Sequence, residues 1–495
     1  MPHETILTFD LGTMNCKVCL WDLAGTLLAS ADESHPTHHP HPDWAEQDAA
    51  DWWRASLAAA RSCLAGQDPS RIAAIGLSSQ REGVVPVGRD GHPLDRCIIW
   101  MDRRCREQSA RLGEEFGVSF LHRHTGVAPD PNYTACKLLW LRECRPEILQ
   151  KAALFLQPRD FLYHRLTGEP ATDHTLASRT MMIDIRRQAW WPAMFERVGV
   201  RIDQFPPLYR STQTPGTLTR ETAALLGLPS GIPVALGGGD RSCEAVGAGL
   251  SGSRASDSTG TATQVSMVTG RLPDDPGRVP CGIHALPDRY LFELGISTTA
   301  SALRWLRNLV GLGPGQTRLL DREAAESPPG ARGLLVFPFF MGARSTRWNP
   351  DARGLILGLS LGHTRGDIVR ALLEGVAYEV ATCLDGLRKL GVTPGELAVI
   401  GGGGKSEVWA QIKADVLGMP VARLRYTEAA SLGAAILAAT AVGLVADPLA
   451  TASAWNPPVQ RFTPDPEATR LYQDRRRLFE DVYTALSPYY ARLRP

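Results

Sequence analysis

No run of about eighteen apolar residues occurs in this chain of 495 residues, so no membrane-spanning helix is expected. A surplus of one charge is missing as well. The 53 Lys and Arg stand against 52 Asp and Glu, a formal net charge of +1. That balance offers no bulk attraction to nucleic acid or to an anionic membrane, and neither is expected as a partner. A disulfide framework is also absent. The ten cysteines are scattered, which points to free thiols in a reducing cytosol. Met1 to Glu4 is short and polar and a strand begins at Thr5, so no signal peptide is expected and the expected location is cytoplasmic. What is present is ordinary for a soluble globular enzyme: 44% hydrophobic and 21% charged residues. The length calls for two large domains.

Several familiar motifs fail on inspection. Gly404-Lys405-Ser406 has the ending of a Walker A loop, but Val399 stands where that pattern needs glycine. The run Gly247-Ala248-Gly249-Leu250-Ser251-Gly252 matches G-x-G-x-x-G, yet it follows a helix-like stretch where a dinucleotide site needs a strand. No His-Arg-Asp loop marks a protein kinase. Cys16 and Cys19 form C-x-x-C within a strand, whereas a redox pair belongs at a helix N-terminus. His35, His38, His39 and His41 are interrupted by prolines and no Cys or carboxylate set completes a metal site, so this segment reads as a surface loop.

Two short turns of one type sit half a chain apart: Asp10-Leu11-Gly12-Thr13 and Ser258-Thr259-Gly260-Thr261. Alternating strand-like residues follow each, at 16–21 and 263–268. A glycine lets backbone N–H groups approach an anion, and a threonine adds a hydroxyl. The repeat predicts a duplicated domain, each copy offering a Gly-Thr turn to the phosphates of one nucleotide. Two further turns, Gly237-Gly238-Gly239-Asp240 and Gly401-Gly402-Gly403-Gly404, also end apolar strands, and a helix follows each. Alternating strands and helices with such turns predict two α/β domains, 1–250 and 251–495, joined near 249–253.

Phosphoryl transfer to an alcohol needs a carboxylate that accepts the hydroxyl proton. Asp240 suits that role and equally suits a helix N-cap. Asp10 is either a turn residue or a carboxylate that holds hydrated Mg²⁺ beside phosphates. Arg81 and Glu82 lie in the loop 78–83 between two strands. They are either an exposed ion pair or, near Trp100 and Asp102, partners of substrate hydroxyls. Arg475-Arg476-Arg477, with Glu480 and Asp481 close by, reads as a solvated helix face.

With these turns the chain resembles the FGGY carbohydrate kinases of the actin/hexokinase/chaperone ATPase superfamily, over its whole length. The likeness is most specific at residues 10–13, at 237–240, at 401–409 and at 427–435. A C-terminal signature is nearly met by Gly354-x-Ile356-x-Gly358-Leu359 and the following 367–374, where Leu372 departs. Within the family, 41–48, Trp52-Trp53 and Gln157-Pro158-Arg159-Asp160-Phe161-Leu162 are similar to xylulokinases. Gln80-Arg81-Glu82 and Trp100-Met101-Asp102-Arg103-Arg104 are more similar to glycerol kinases, and xylulokinases carry Met-His after the glutamine. Arg241 replaces the usual Asn or Gln after the catalytic Asp, and Asn132 stands where glycerol kinases have an aromatic.

The resemblance implies two duplicated actin-like (ribonuclease H-like) ATPase domains with a cleft between them, ATP as phosphoryl donor, and Mg²⁺. It implies Asp240 as general base. Asp10 and Asp240 would place Mg²⁺ through water. Gly12, Thr13, Asn15, Lys17, Gly260 and Thr261 would surround the phosphates, and Gly402, Gly403 and Gly404 would flank the adenosine. Gln80, Arg81, Glu82, Trp100, Asp102, Asp240 and Arg241 would line the sugar pocket in the first domain. The expected activity is ATP-dependent phosphorylation of a ketopentose such as xylulose. A glycerol- or erythritol-type polyol kinase is the alternative, and a conformational ATPase of the actin or chaperone kind is the alternative from another class. A homodimer is an admissible assembly.

Overall fold

The computed structural model describes residues 4–275, 277, 279–345 and 347–493. Of the polar start, Met1, Pro2 and His3 lie outside the described residues. The chain forms two compact units. The first comprises Met1–Gly249, Gly270–Leu291 and Glu428–Asn456, and the second Leu250–Thr269, Phe292–Thr427 and Pro457–Pro495. The first crossing falls between Gly249 and Leu250. Two later segments return to the first unit, which a single cut of the sequence does not convey.

In the first unit, β1 (Thr5–Leu11), β2 (Asn15–Asp22) and β3 (Leu27–Ser34) form an antiparallel meander. β4 (Ile72–Ser79) and β5 (Pro233–Gly239) add to β1 in parallel, giving the order β5-β4-β1-β2-β3 with Gly216–Thr217 at the edge. β1 and β4 are buried almost without interruption because layers cover both faces of the sheet. One layer is the helix Ala49–Leu64, capped by the Asp48 side chain accepting from the Ala50 N–H at 2.8 Å.

On the other face the helices Asp240–Gly247 and Ala429–Ala441 pack against one another. Their small residues have a steric cause. A Cβ on Gly433 would lie 1.8 Å from the Cys243 carbonyl oxygen, and one on Gly76 of β4 would lie 2.4 Å from the Ala434 carbonyl oxygen. The Gly433 neighbours are backbone atoms that cannot swing aside. Gly433→Ala is therefore expected to destabilise the chain by at least about 1–3 kcal/mol. A denaturant midpoint equal to that of the parent chain would show that these helices separate without penalty.

The second unit repeats the plan. β6 (Arg254–Thr259) and β7 (Thr263–Thr269) form an antiparallel hairpin, and β8 (Glu396–Ile400) and β9 (Val421–Leu424) add to β6 in parallel. The order β7-β6-β8-β9 matches β2-β1-β4-β5. The match also pairs the turns: 12–13 with 260–261, 80–83 with 401–404, and 237–240 with 425–428. The two Gly-Thr turns differ in length. Leu11 pairs with Cys16 across the first hairpin end, and Thr259 with Thr263 across the second, which is one residue shorter. The long helix Arg365–Lys389 carries the core of this unit, started by a capping box between Thr364 and Asp367.

Other expectations are adjusted. Only Cys97–Ile98 of the stretch 97–100 is strand, and Trp100 lies in the turn beyond it. Arg475 donates to the Leu334 carbonyl and Arg476 pairs with Asp385, so only Arg477 of that basic trio is strongly exposed. Cys16 and Cys19 are buried in β2 with free thiols, and burial pushes the Cys16 thiol up to about 12. Among the described residues no helix is long and apolar enough to cross a membrane.

Candidate functional site

The parallel strands β1, β4 and β5 place their carboxyl ends along one edge of the first sheet, where open α/β sheets bind ligands. Asp10 is in register with Ser78, and Gly238 and Gly239 are in register with Ser78 and Ser79. Asp10 is half-buried, yet its Oδ1 is fully enclosed and without a partner among the described residues. Burial raises its pKa to about 6, and the nearby charge of Asp240 adds to the rise. Lys17, opposite Asp10 on β2, is ion-paired with Glu428. Asn15 donates to Asp32 at 3.2 Å.

The first Gly-Thr turn is tied to its surroundings by polar contacts. The Gly12 N–H donates to the Asn15 carbonyl at 2.9 Å, closing the turn. The Trp100 indole donates to the Thr13 hydroxyl at 2.9 Å. Gln47 donates to the Thr13 carbonyl at 2.6 Å and accepts from Gln80 at 2.7 Å and from the Trp52 indole at 3.0 Å. Gln80 and Trp100 therefore support the turn, and Gln47 joins them.

Asp240 is not an N-cap. Gly239 takes that position and Asp240 is the first residue of the helix Asp240–Gly247. One carboxylate oxygen, Oδ1, accepts from the Arg241 N–H at 2.7 Å and lies 3.1 Å from the Arg81 Nε. The Arg81 stem crosses Gly239 so closely that a Cβ there would lie 2.4 Å from the Arg81 Cδ. Glycine at 239 is thus a requirement of the Arg81–Asp240 contact. The Arg241 side chain turns back onto Glu244 at 3.1 Å.

Arg81 and Glu82 pair with different residues, which corrects the simple ion-pair reading. Glu82 is buried, with left-handed backbone at φ 66, and its carboxylate accepts from the Arg179 Nε at 2.7 Å. Its N–H donates to the Gln157 side chain at 3.1 Å, and its carbonyl accepts from Lys137 at 2.6 Å. Asp102 is also placed differently from the expectation. It is fully buried, and its two oxygens accept from the Ala45 N–H and from Arg104, which also binds Glu46 and lies over the Trp44 ring. The Arg104 guanidinium, not a substrate hydroxyl, takes the Asp102 carboxylate. Asn132, close in the chain to Tyr133 and Thr134, is buried with Oδ1 unpartnered among the described residues.

The sequence reading missed a supporting layer. Gln157 and Asp160 form the capping box of the helix Pro158–Thr167, and Gln157 also holds Glu82. Arg159 donates to Asp173 at 2.7 Å and to the Leu236 carbonyl of β5 at 3.2 Å. Asp173 caps the next turn through the Thr175 N–H, and the Thr175 hydroxyl accepts from the Gly239 N–H at 2.9 Å. The Gln157-Pro158-Arg159-Asp160 motif was visible as a family mark, but its role as a scaffold for both Glu82 and the Asp240 turn was not. Arg179 and Lys137 carry no local sequence signal at all.

Burial raises the Asp160 pKa to about 7. An unfolded Asp titrates near ~3.9, so between about 4 and 7 the folded chain binds the extra proton. The stabilisation from that proton is present at acid pH and lost as pH rises through about 7. Asp160→Asn should remove this loss, so its stability relative to the parent chain should climb between about pH 4 and pH 7 in paired urea titrations and level off above that. Parallel pH profiles would assign the titration elsewhere.

In the second unit, the Gly260 N–H donates to the Ala262 carbonyl at 2.9 Å and the Thr261 hydroxyl accepts from Arg304 at 3.0 Å. Gly260 and Thr261 are exposed. Gly401 is left-handed at φ 73, and a Cβ on Gly403 would lie 2.4 Å from the Thr259 Cγ2, so the 401–404 turn lies flat against Thr259. A Cβ on Gly402 would meet nothing within 4 Å, which leaves that position open. Beneath the turns the fully buried Lys413 pairs with Asp257 at 2.6 Å, and the Thr259 hydroxyl donates to the same carboxylate at 2.5 Å.

Among the described residues no cluster of three or more His, Cys, Asp or Glu side chains forms a cation cage. Mg²⁺ usually takes one or two carboxylates plus waters and phosphates. The Asp10 carboxylate, with an unpartnered Oδ1 and a pKa raised by burial and further by the charge of Asp240, fits a cation of that kind.

Comparison with known proteins matches residues 5–247 to the N-terminal domain, and residues 255–442 to the C-terminal domain, of the FGGY family of carbohydrate kinases. The chain is 32% identical over 487 residues to the xylulose kinase of Escherichia coli (strain K12), covering 97% of this chain and 99% of that one. It is 33% identical over 448 residues to the glycerol kinase of Thermococcus gammatolerans, covering 88% and 89%. The crystal structure of xylulose kinase from Rhodospirillum rubrum superposes with a TM-score of 0.92 at 29% identity, covering 99% of this chain and 100% of that one.

Proposed function

The chain belongs to the FGGY family of carbohydrate kinases, and from that premise we propose that it transfers the γ-phosphoryl group of ATP to a hydroxyl of a ketopentose of the xylulose class. The observation that carries the reading is Asp240. It stands at a strand end with one oxygen fixed by Arg81 and by the Arg241 N–H, on the same sheet edge as Asp10.

The substrate hydroxyl gives its proton to the other Asp240 oxygen as it attacks the γ-phosphorus in line, and ADP leaves. Arg81 and Glu82 bind neighbouring hydroxyls of the sugar, and Asn132, Trp100 and Arg241 line the same pocket. Gln80 positions the Gly-Thr turn through Gln47, and Asp102 acts through Arg104 as a support. Gly12, Thr13, Asn15 and Lys17 in the first unit, and Gly260 and Thr261 in the second, bind phosphates. Gly402, Gly403 and Gly404 bind the adenosine, where the open face of Gly402 suits a flat ring. Asp10 and Asp240 would hold Mg²⁺, which neutralises phosphate charge when bound. A cytoplasmic place, where ATP is at hand, belongs to the same reading.

Glycerol or a related polyol is the second reading. It is favoured by the Arg81-Glu82 and Trp100 positions and by the glycerol kinase relative. A coupled ADP-release screen over pentuloses, pentitols, erythritol and glycerol separates the readings. The expected result is release that depends on sugar and is greatest with a pentulose. Release that is fastest with glycerol would select the second reading, and release indifferent to every small alcohol would point to a conformational ATPase.

A further inference from the structure

We infer that the first unit carries a second ligand site, a polar cavity beside residues 283–288 that takes a phosphate oxyanion, borne by a small phosphate monoester or free, and that acts on the Asp240 turn. The cavity is partly open to solvent and offers about 40 Å³ of room to water-sized groups. Its polar lining is His174, Gln188, Arg210, Ser211, His284 and Asp288. None of these lines the site described above.

His284 supplies the reason to expect a ligand. It is 3% exposed, and its Nδ1 accepts from the Leu286 N–H at 3.1 Å. The ring hydrogen therefore sits on Nε2, which is buried and has no partner among the described residues. Burial pushes the pKa of His284 down to about 3, and the nearby charge of Arg289 adds to the fall. The ring is neutral, so Nε2–H stays a donor, without an acceptor among the described residues, on a residue that lines the cavity. A buried donor left unmade is costly and is retained where it has a task.

Two tight turns border the same cavity, and Gln188 and Asp288 are their left-handed residues at φ 53 and φ 56. Both line this one cavity. Arg210 on the lining and Arg289 nearby supply positive charge for an oxyanion. The Asp288 carboxylate can accept from a hydroxyl of the same ligand, which favours a phosphorylated polyol or sugar over the bare ion.

A polar chain leads from the cavity to the catalytic turn. The Ser211 hydroxyl donates to Asp173 at 2.7 Å, and the same carboxylate oxygen accepts from the Thr175 N–H at 2.9 Å. The Thr175 hydroxyl accepts from the Gly239 N–H at 2.9 Å, and Asp240 follows directly. A ligand that draws on Ser211 competes with Asp173 for its hydroxyl and so bears on the turn that holds Asp240. This kinetic half rests on the kinase reading, whereas the binding half does not.

The test uses the full chain, with a non-hydrolysable ATP analogue present to occupy any nucleotide site. Hydrogen exchange is followed by mass spectrometry during titration with inorganic phosphate in one arm and glycerol 3-phosphate in the other. Protection is expected in peptides covering 281–289 and 208–213. Half-saturation should rise about tenfold or more in Arg210→Ala and in His284→Gln. Arg210 is exposed, so its variant folds even if the His284 variant does not. Tighter protection by the monoester supports the sugar-phosphate class, and equal protection supports the free oxyanion. Ser211→Ala should weaken the protection less than Arg210→Ala does and lose any effect of the ligand on sugar turnover. No protection in either arm, or an Arg210→Ala titration identical to the parent's, overturns the site. A failed ADP-release screen with intact protection would reject the kinase reading alone.

Discussion

Asp240→Asn is expected to lower kcat by about 10²–10⁴-fold while leaving the binding of nucleotide nearly unchanged. Asparagine keeps an oxygen for the Arg241 N–H, so the helix start survives. It cannot take a proton from a hydroxyl, and it removes the charge that holds the Arg81 guanidinium. Steady-state turnover together with nucleotide titration checks both halves. Sugar affinity should fall modestly, because Arg81 is released from its place over Gly239. Near-normal turnover would remove Asp240 from the role of base and leave it as an anchor for Arg81.

The strand-end turns were legible because glycine and threonine have few other reasons to recur after apolar strands at the same place in each half. The sheet order bears out a duplicated plan, with β7-β6-β8-β9 repeating β2-β1-β4-β5. It also pairs the turns in a way the residues alone hide. The 401–404 glycines correspond to the Gln80–Gly83 loop, so one fold position carries glycines in one unit and a charged pair in the other. Return of Glu428–Asn456 to the first unit was not legible either. Its cause is the fit of the small residues Gly433 and Ala434 against Cys243 and β4, a property of two surfaces that no single stretch contains. The partners of Glu82 escaped for the same reason. Arg179 and Lys137 lie 97 and 55 residues away, and an isolated Arg or Lys in a helical stretch reads as a solvent-facing residue. Asp102 misled because its neighbours in sequence suggested a pocket, whereas Arg104, two residues on, folds back onto it.

Glu82→Gln is expected to lower kcat/KM for the preferred sugar by about 10–100-fold and to reorder the ranking of sugars. The amide keeps the size and one acceptor, so the contact with Arg179 weakens without leaving a void. The exchange to the Met-His of xylulokinases has two separable effects. Arg81→Met takes the guanidinium from Asp240 and from the sugar, and should lower kcat and raise KM together. Glu82→His takes the carboxylate from Arg179, and breaking a buried pair of this kind costs about 3–5 kcal/mol. Thermal unfolding of each single variant therefore has to accompany the kinetics. A carboxylate accepts from two hydroxyls and a guanidinium donates in a fixed fork, which together suit a vicinal diol. If Glu82 meets that diol, Glu82→Gln changes which sugars are turned over while sugar-free ADP release stays as it was. If the ranking is unchanged and only the unfolding temperature falls, Glu82 serves Arg179 alone, and selection passes to Asn132, Trp100 and Arg241.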